Sequence, residues 1–129
     1  LETVEDMPKE ISADPARLRE VLSNFVTNAV KYNKEGGSVR VIVGFNPKNK
    51  NELLFNVKDS GIGIADDDQQ HVFERFWRAD DVKNIEGTGL GLWIAKQIVE
   101  RWEGRVGMQS KAGIGSDFYF TLPVKTQLV

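Results

Sequence analysis

The amino-acid sequence predicts an α/β (α+β) two-layer sandwich, with a mixed, mostly antiparallel sheet and helices on one of its faces. Three observations predict it. Two long segments, 15–33 and 90–102, carry apolar residues at helical spacing. Two pairs of β-rich runs are each joined by a turn-forming stretch. The helical segments stand before and between these hairpins, with no repeat or low-complexity tract, an order that suits a sheet covered on one side.

In chain order, Asp14 is a good N-cap and Pro15 suits the first helical position. The helix they start shows Leu18, Val21, Leu22, Phe25, Val26, Ala29 and Val30 as a broad apolar face and is expected to end near Asn33, before "KEGG". "SVRVIVGF" and "ELLFNVKD" alternate in part and are joined by "NPKNKN", so they read as a hairpin. A short helix is expected from about Asp66 through "DDDQQHVFERF", because three acids favour a helix N-terminus. "RADDVKNIEGT" has no period and reads as a loop. Leu90, Ile94, Ala95, Ile98, Val99 and Trp102 then mark a second long helix that Gly104 is placed to stop. "RVGMQS" and "SDFYFTLP" form a second hairpin around "KAGIG".

Composition narrows the function. The 129 residues fit one domain. Seventeen basic residues against 19 acidic ones give a formal charge of −2, without the basic excess that binding to a nucleic-acid backbone needs. With no cysteine there is neither a disulfide framework, a thiolate metal site nor a cysteine nucleophile, and a reducing compartment fits. No apolar run approaches the roughly 20 residues of a membrane helix. The opening "LETVEDMPKE", acidic and without an initiator methionine, reads as a cut through a longer protein.

Three stretches carry the chemistry. In "LSNFVTNAVKYN", Asn24 and Asn28 lie four residues apart, with Lys31 three further on, so one helix face bears a polar stripe. Neutral amide oxygens suit Mg²⁺ that also takes waters and nucleotide phosphate oxygens, and Lys31 can meet phosphate charge. In "DSGIGIADD", Asp59 ends a strand. Gly61 and Gly63 follow it and allow a sharp turn or close ligand approach, while Ile62 and Ile64 supply apolar surface. In "EGTGLGLWIAK", Gly87, Gly89 and Gly91 surround Thr88 at a helix entry, where free N–H groups suit an anion. This is neither a P-loop, since "GK[ST]" is missing, nor the dinucleotide fingerprint, since no strand precedes it.

Together, "NFVTNAVKY", "DSGIGI", "FERFWR" and "GTGLGL" resemble, in order and interval, the N, G1, F and G2 boxes of the catalytic ATP-binding domain of two-component sensor histidine kinases, members of the GHKL superfamily with the Bergerat fold. The resemblance runs from about Ala13 to Pro123. It implies one catalytic domain over 1–129, with 1–8 a remnant of a linker from a helical domain and 78–88 a lid over ATP. Asn24 and Asn28 would line the Mg²⁺–phosphate side, Asn28 as the metal ligand, with Lys31 on phosphate and Tyr32 flanking the nucleotide. Asp59 would accept a hydrogen bond from the adenine amino group, with Gly61, Gly63 and Ile64 closing over the base. Arg78, Gly87, Thr88, Gly89, Leu90 and Gly91 would complete the phosphate end, and Arg75 could face phosphate or a surface acid. Phe73, Phe76 and Trp77 would pack in the core, anchor the lid, or face the helical acceptor domain.

The implied reaction is transfer of the γ-phosphate of Mg·ATP to a histidine on a separate dimerisation domain of the same protein, through which a response regulator is served indirectly. His71 in "QHVFER" lacks the acid and proline that flank the acceptor in the family, so the acceptor lies outside this chain. A monomeric, cytoplasmic domain of a parent that can be membrane-anchored is expected, with no nucleic-acid or membrane contact of its own. Asn33 stands where the family commonly has a small hydroxyl residue, Trp77 where it has Tyr, and Trp102 where His is frequent. Two alternatives remain. One is a GHKL ATPase or serine kinase, in which a glutamate activating water would fall at Asn24, with Glu20 a poor substitute beside Arg17 or Arg19. The other is a degenerate domain that only binds a partner.

Overall fold

A computed structural model of the chain describes residues 2–3, 13–77 and 90–124, with the backbone alone described for 2–3. In chain order its elements are β1 (Glu2–Thr3), α1 (Pro15–Lys31), β2 (Val39–Asn46), β3 (Asn49–Asp59), α2 (Asp66–Gln69), α3 (Gly91–Arg101), β4 (Val106–Lys111) and β5 (Gly115–Pro123). The strands form one sheet in the order β1-β2-β3-β5-β4. All pairs are antiparallel except β1 with β2, which run parallel. The expected mixed, mostly antiparallel sheet is therefore present.

Strand alternation places the core. Val43, Phe55 and Phe120 lie side by side across three strands, as do Leu53 with Leu122 and Val57 with Phe118, so one sheet face is apolar and buried. Against it α1 sets Val21, Phe25 and Ala29, spaced by four, and α3 sets Ala95 and Val99. Phe25 meets Phe120 edge-on at 5.2 Å and Phe118 at 6.2 Å, while Phe55 stacks on Phe120 at 4.5 Å. Burial of one such ring contributes roughly 1.5–3 kcal/mol, so Phe25 is the main anchor of α1 on the sheet.

Several elements differ from the sequence reading. α1 starts as expected, with the Asp14 carboxylate accepting from the Ala16 N–H at 2.9 Å, but it ends at Lys31, where Tyr32 caps it. Val30, expected on the apolar face, is 60% exposed, since the buried positions 21, 25 and 29 turn it away from the sheet. The first hairpin is tighter than "NPKNKN" suggested, because Asn49 to Asn51 extend β3 and leave Pro47 and Lys48 as the turn. The expected helix after Asp66 stops at Gln69. The chain continues through bonds from His71 N–H to Asp68 O, Glu74 N–H to His71 O and Trp77 N–H to Glu74 O, three residues back each time. Within these tight turns Phe73 sits against Phe25 and Phe118.

The end of α3 also departs from expectation. Glu103, not Gly104, takes the left-handed conformation, at φ 63°. Gly104 is needed for room: a Cβ there would lie 2.0 Å from the Thr121 carbonyl oxygen. The strand β1 had no signal in the sequence, since two residues are too few to show a period.

Candidate functional site

The residues singled out in the sequence lie along α1 and form two ends: the turn after β3 closes on its C-terminus, and α3 begins beside Asn24. At one end β3 delivers Asp59 beside Ser116 of β5, its register partner. The Asp59 carboxylate accepts from the Gly61 N–H at 2.9 Å and also from the Ser116 N–H. Burial raises its pKa above the ordinary carboxylate value, and the neighbouring Asp117 adds to that, while the two N–H donors pull it down. The protein thus holds a desolvated acid at the end of an apolar strand, available to hydrogen-bond a polar ligand edge.

The turn that follows is built by close approach. A Cβ on Gly61 would lie 2.3 Å from the Tyr32 carbonyl oxygen, so only glycine lets this turn close on the end of α1, where Ile62 N–H also donates to Tyr32 O at 3.1 Å. Gly63 has φ +69°, and a Cβ there would meet the Lys111 carbonyl oxygen at 2.1 Å. Ile64 packs against the core, and its N–H donates to the Ser110 hydroxyl at 2.8 Å. Gln69 secures the same turn, donating to the carbonyl oxygens of Ile64 and Ser110. Ile62 stays 40% exposed.

At the other end stand Asn24 and Asn28, both half-buried on one face of α1, with Lys31 exposed at its last position and Tyr32 half-buried at its cap. Neither asparagine side chain has a hydrogen-bond partner among the described residues. Across from them α3 begins. Leu90 occupies its N-cap position without capping it through a side chain, and a Cβ on Gly91 would lie 3.6 Å from Asn24 Oδ1. The first turn of α3 therefore begins beside the unused amide oxygen of Asn24, with Asn28 one turn further along the same face of α1, an arrangement able to take phosphate and a hard cation together. Among the described residues no group of three His, Cys, Asp or Glu side chains could hold a metal alone, so a cation here would need ligand oxygens as well. Glu20 is engaged elsewhere, accepting from Arg17 at 2.8 Å.

Arg78, Gly87, Thr88, Gly89 and the expected lid over 78–88 lie outside the described residues. Arg75 is held by two aromatic rings. Its guanidinium lies 4.8 Å from the Phe76 ring centre and 5.3 Å from that of Trp93, bridging the end of the F motif to the first turn of α3. Phe73 and Trp77 pack against the core, whereas Phe76 is 58% exposed at φ 63°. His71 pairs with Glu74 and stacks on Trp77. The sequence reading missed Ser110 and Ser116 at the base of the first end. Ser116 faces Asp59 only once β3 and β5 are paired, a contact between the two hairpins that no local signal gives.

A family model described as histidine kinase-, DNA gyrase B- and HSP90-like ATPase matches residues 13–126. The chain belongs to that family. A sensor protein of Pseudomonas syringae pv. syringae, GacS, is 38% identical over 91% of this chain and 13% of its own length. The sensor histidine kinase WalK of Bacillus subtilis is 41% identical over 91% of this chain and 19% of its own. The chain thus spans less than a fifth of each of these relatives. Among solved structures, full-length ShkA in complex with AMPPNP is 32% identical with a TM-score of 0.79, covering 99% of this chain and 26% of that one. The mycobacterial sensor histidine kinase MprB is 28% identical with a TM-score of 0.77, covering 91% of this chain and 78% of that one. The α/β sandwich of the family is therefore the fold of this chain, and among the described residues no helix is long and apolar enough to cross a membrane.

Proposed function

We propose that this chain is the catalytic domain of a sensor histidine kinase, binding Mg·ATP and presenting its γ-phosphate to a histidine on a separate helical domain of the same protein. The observation that carries the reading is the pair of amides, Asn24 and Asn28, without partners among the described residues, Asn24 beside the start of α3, with a half-buried acceptor, Asp59, at the opposite end of the site. Asp59 receives the adenine amino group, and Gly61, Gly63 and Ile64 let backbone and apolar surface close on the base. Lys31 and the first-turn N–H groups of α3 hold the phosphates, with Arg78, Gly87, Thr88 and Gly89 contributing from beyond the described residues. Tyr32 flanks the nucleotide.

A Mg²⁺ ion bound with the nucleotide would be held by Asn28, with Asn24 beside it, and would neutralise phosphate charge. The chain's own part in the reaction is to position the triphosphate and exclude alternatives, as phosphoryl transfer needs no nucleophile from the binding domain. Asn24 is neutral where the hydrolysing reading needs a carboxylate to take a proton from water, and Glu20 is occupied by Arg17. These two observations favour a kinase that waits for its acceptor over an ATPase. His71 is a poor acceptor, being tied to Glu74 and Trp77. The response regulator is served through the acceptor domain, and the chain itself is monomeric.

The test is a calorimetric titration of ATP into the chain with and without Mg²⁺, followed by assay of free phosphate in the same cell. Binding tightened by Mg²⁺ with almost no phosphate released is expected. Steady release would move the chain to the ATPases, and no binding would leave the fold without the activity.

A further inference from the structure

The two ends of the site stand on different elements, the amides on α1 and Asp59 on β3, so a ligand spanning them depends on how firmly those elements are registered. We propose that Asn33 is a positioning residue that sets this register, acting through Ser38 and Ser60; the inference rests on the nucleotide-binding reading. Asn33 directly follows Tyr32, the cap of α1, and Ser60 directly follows Asp59. The Asn33 Nδ2 donates to the Ser38 carbonyl oxygen at 2.9 Å, while its Oδ1 accepts from the Lys34 N–H at 2.9 Å and from the Ser60 hydroxyl at 3.4 Å. Ser38 and Ser60 close the knot: Ser38 N–H donates to Ser60 Oγ at 2.8 Å, and Ser60 N–H donates to the same Ser38 carbonyl at 3.2 Å.

A carboxamide is the group that can do this. It presents a donor and an acceptor at fixed separation on one planar unit, whereas a hydroxyl has a single oxygen and a carboxylate has no donor. The loop makes room for it. Gly37 does not take a left-handed backbone, yet a Cβ there would lie 2.1 Å from Asn33 Oδ1, so glycine at 37 serves the approach of this side chain. Outside the knot, the contact between the end of α1 and the turn after β3 is the Ile62 N–H to Tyr32 O bond and the tight seat of Gly61. Asn33 thus adds a polar link to the apolar packing of α1, next to Tyr32 in the chain and bonded to Ser60, the residue after Asp59.

The test compares a ligand that needs both ends with ligands that need one. ATP with Mg²⁺ spans the site, adenosine engages the Asp59 end, and tripolyphosphate with Mg²⁺ engages the amide end. Asn33→Asp keeps the shape, removes the donor and sets a charge against the Ser38 carbonyl. It is expected to weaken ATP about tenfold, because register is lost, while leaving adenosine and tripolyphosphate within about twofold. Ser60→Ala, which deletes one hydroxyl, is expected to act the same way to a smaller degree, and is read in its place if Asn33→Asp does not fold. Unchanged ATP affinity overturns the inference, and so do equal losses on all three ligands, which would mark a residue of general stability. A wild-type chain that binds no ATP would overturn the proposed function itself, and the inference with it.

Discussion

Asp59 and Asn28 both bring a short polar side chain to the proposed nucleotide site, yet one arrives already bonded and the other does not. The Asp59 carboxylate takes two backbone N–H groups, and the turn after it is closed by Gly61, Gly63, Ser110 and Gln69. Asn28 and Asn24 leave their amides unmatched among the described residues, Asn24 beside the start of α3, where Leu90 provides no side-chain cap. The first end is pre-organised, so a ligand there meets a fixed acceptor at little cost in ordering. The second is left for ligand and cation to complete. Damage at the first end should therefore appear in both stability and affinity, and damage at the second in affinity alone.

The largest effect is expected from Gly63→Ala, which forces a side chain into a left-handed backbone and against the Lys111 carbonyl. A loss of about 3 kcal/mol in chemical denaturation is expected, with ATP binding impaired as well. A stable Gly63→Ala chain would mean that the turn is soft and the contrast wrong. Next, Asp59→Asn should weaken ATP by about tenfold or more, since the base end loses the charge of its acceptor. Calorimetry showing wild-type affinity would remove Asp59 from base recognition.

At the open end, Asn28→Ala should cost about tenfold in the Mg²⁺-dependent part of ATP binding, leaving the Mg²⁺-free part and the melting temperature close to wild type. Equal losses with and without Mg²⁺ would place the cation elsewhere. The smallest effect is in pH. A carboxyl whose folded value is raised contributes stability that is present below the unfolded value and lost as pH rises through the folded one. Asp59 is raised, by burial first. The stability of Asp59→Asn relative to wild type should therefore improve from acid towards neutral pH, and a difference that stays flat across that range would show an acid in ordinary solvent.

Much of this was legible because it is local. Asp14 and Pro15 start α1 as their chemistry dictates, and the four-residue spacing of Val21, Phe25 and Ala29 points them at the sheet. The four motifs identified the family because their order and interval are jointly specific. What escaped depends on partners distant in sequence. Val30 looked apolar enough for the core but faces solvent, and the helix after Asp66 gives way to tight turns in which Phe73 meets Phe25 and Phe118. Asn33 looked like a neutral replacement until Ser38 and Ser60, 5 and 27 residues on, were brought to its two ends. Arg75 could not be assigned without knowing that Trp93 comes back beside it.

The interleaving of α1 also limits which changes of length the protein can accept. Asn24 and Asn28 each precede a core residue, Phe25 and Ala29, by one position, so the two stripes differ by a rotation of about 100° around one axis. A single residue inserted between Phe25 and Asn28 would carry Asn28 into the space Ala29 fills against the sheet and swing the following apolar residue out. Substitution can proceed position by position along this helix, but insertions and deletions within it would exchange a ligand-facing stripe for a core stripe in one step. Length variation among descendants of this chain should collect in its turns, such as Pro47–Lys48, and be missing from α1.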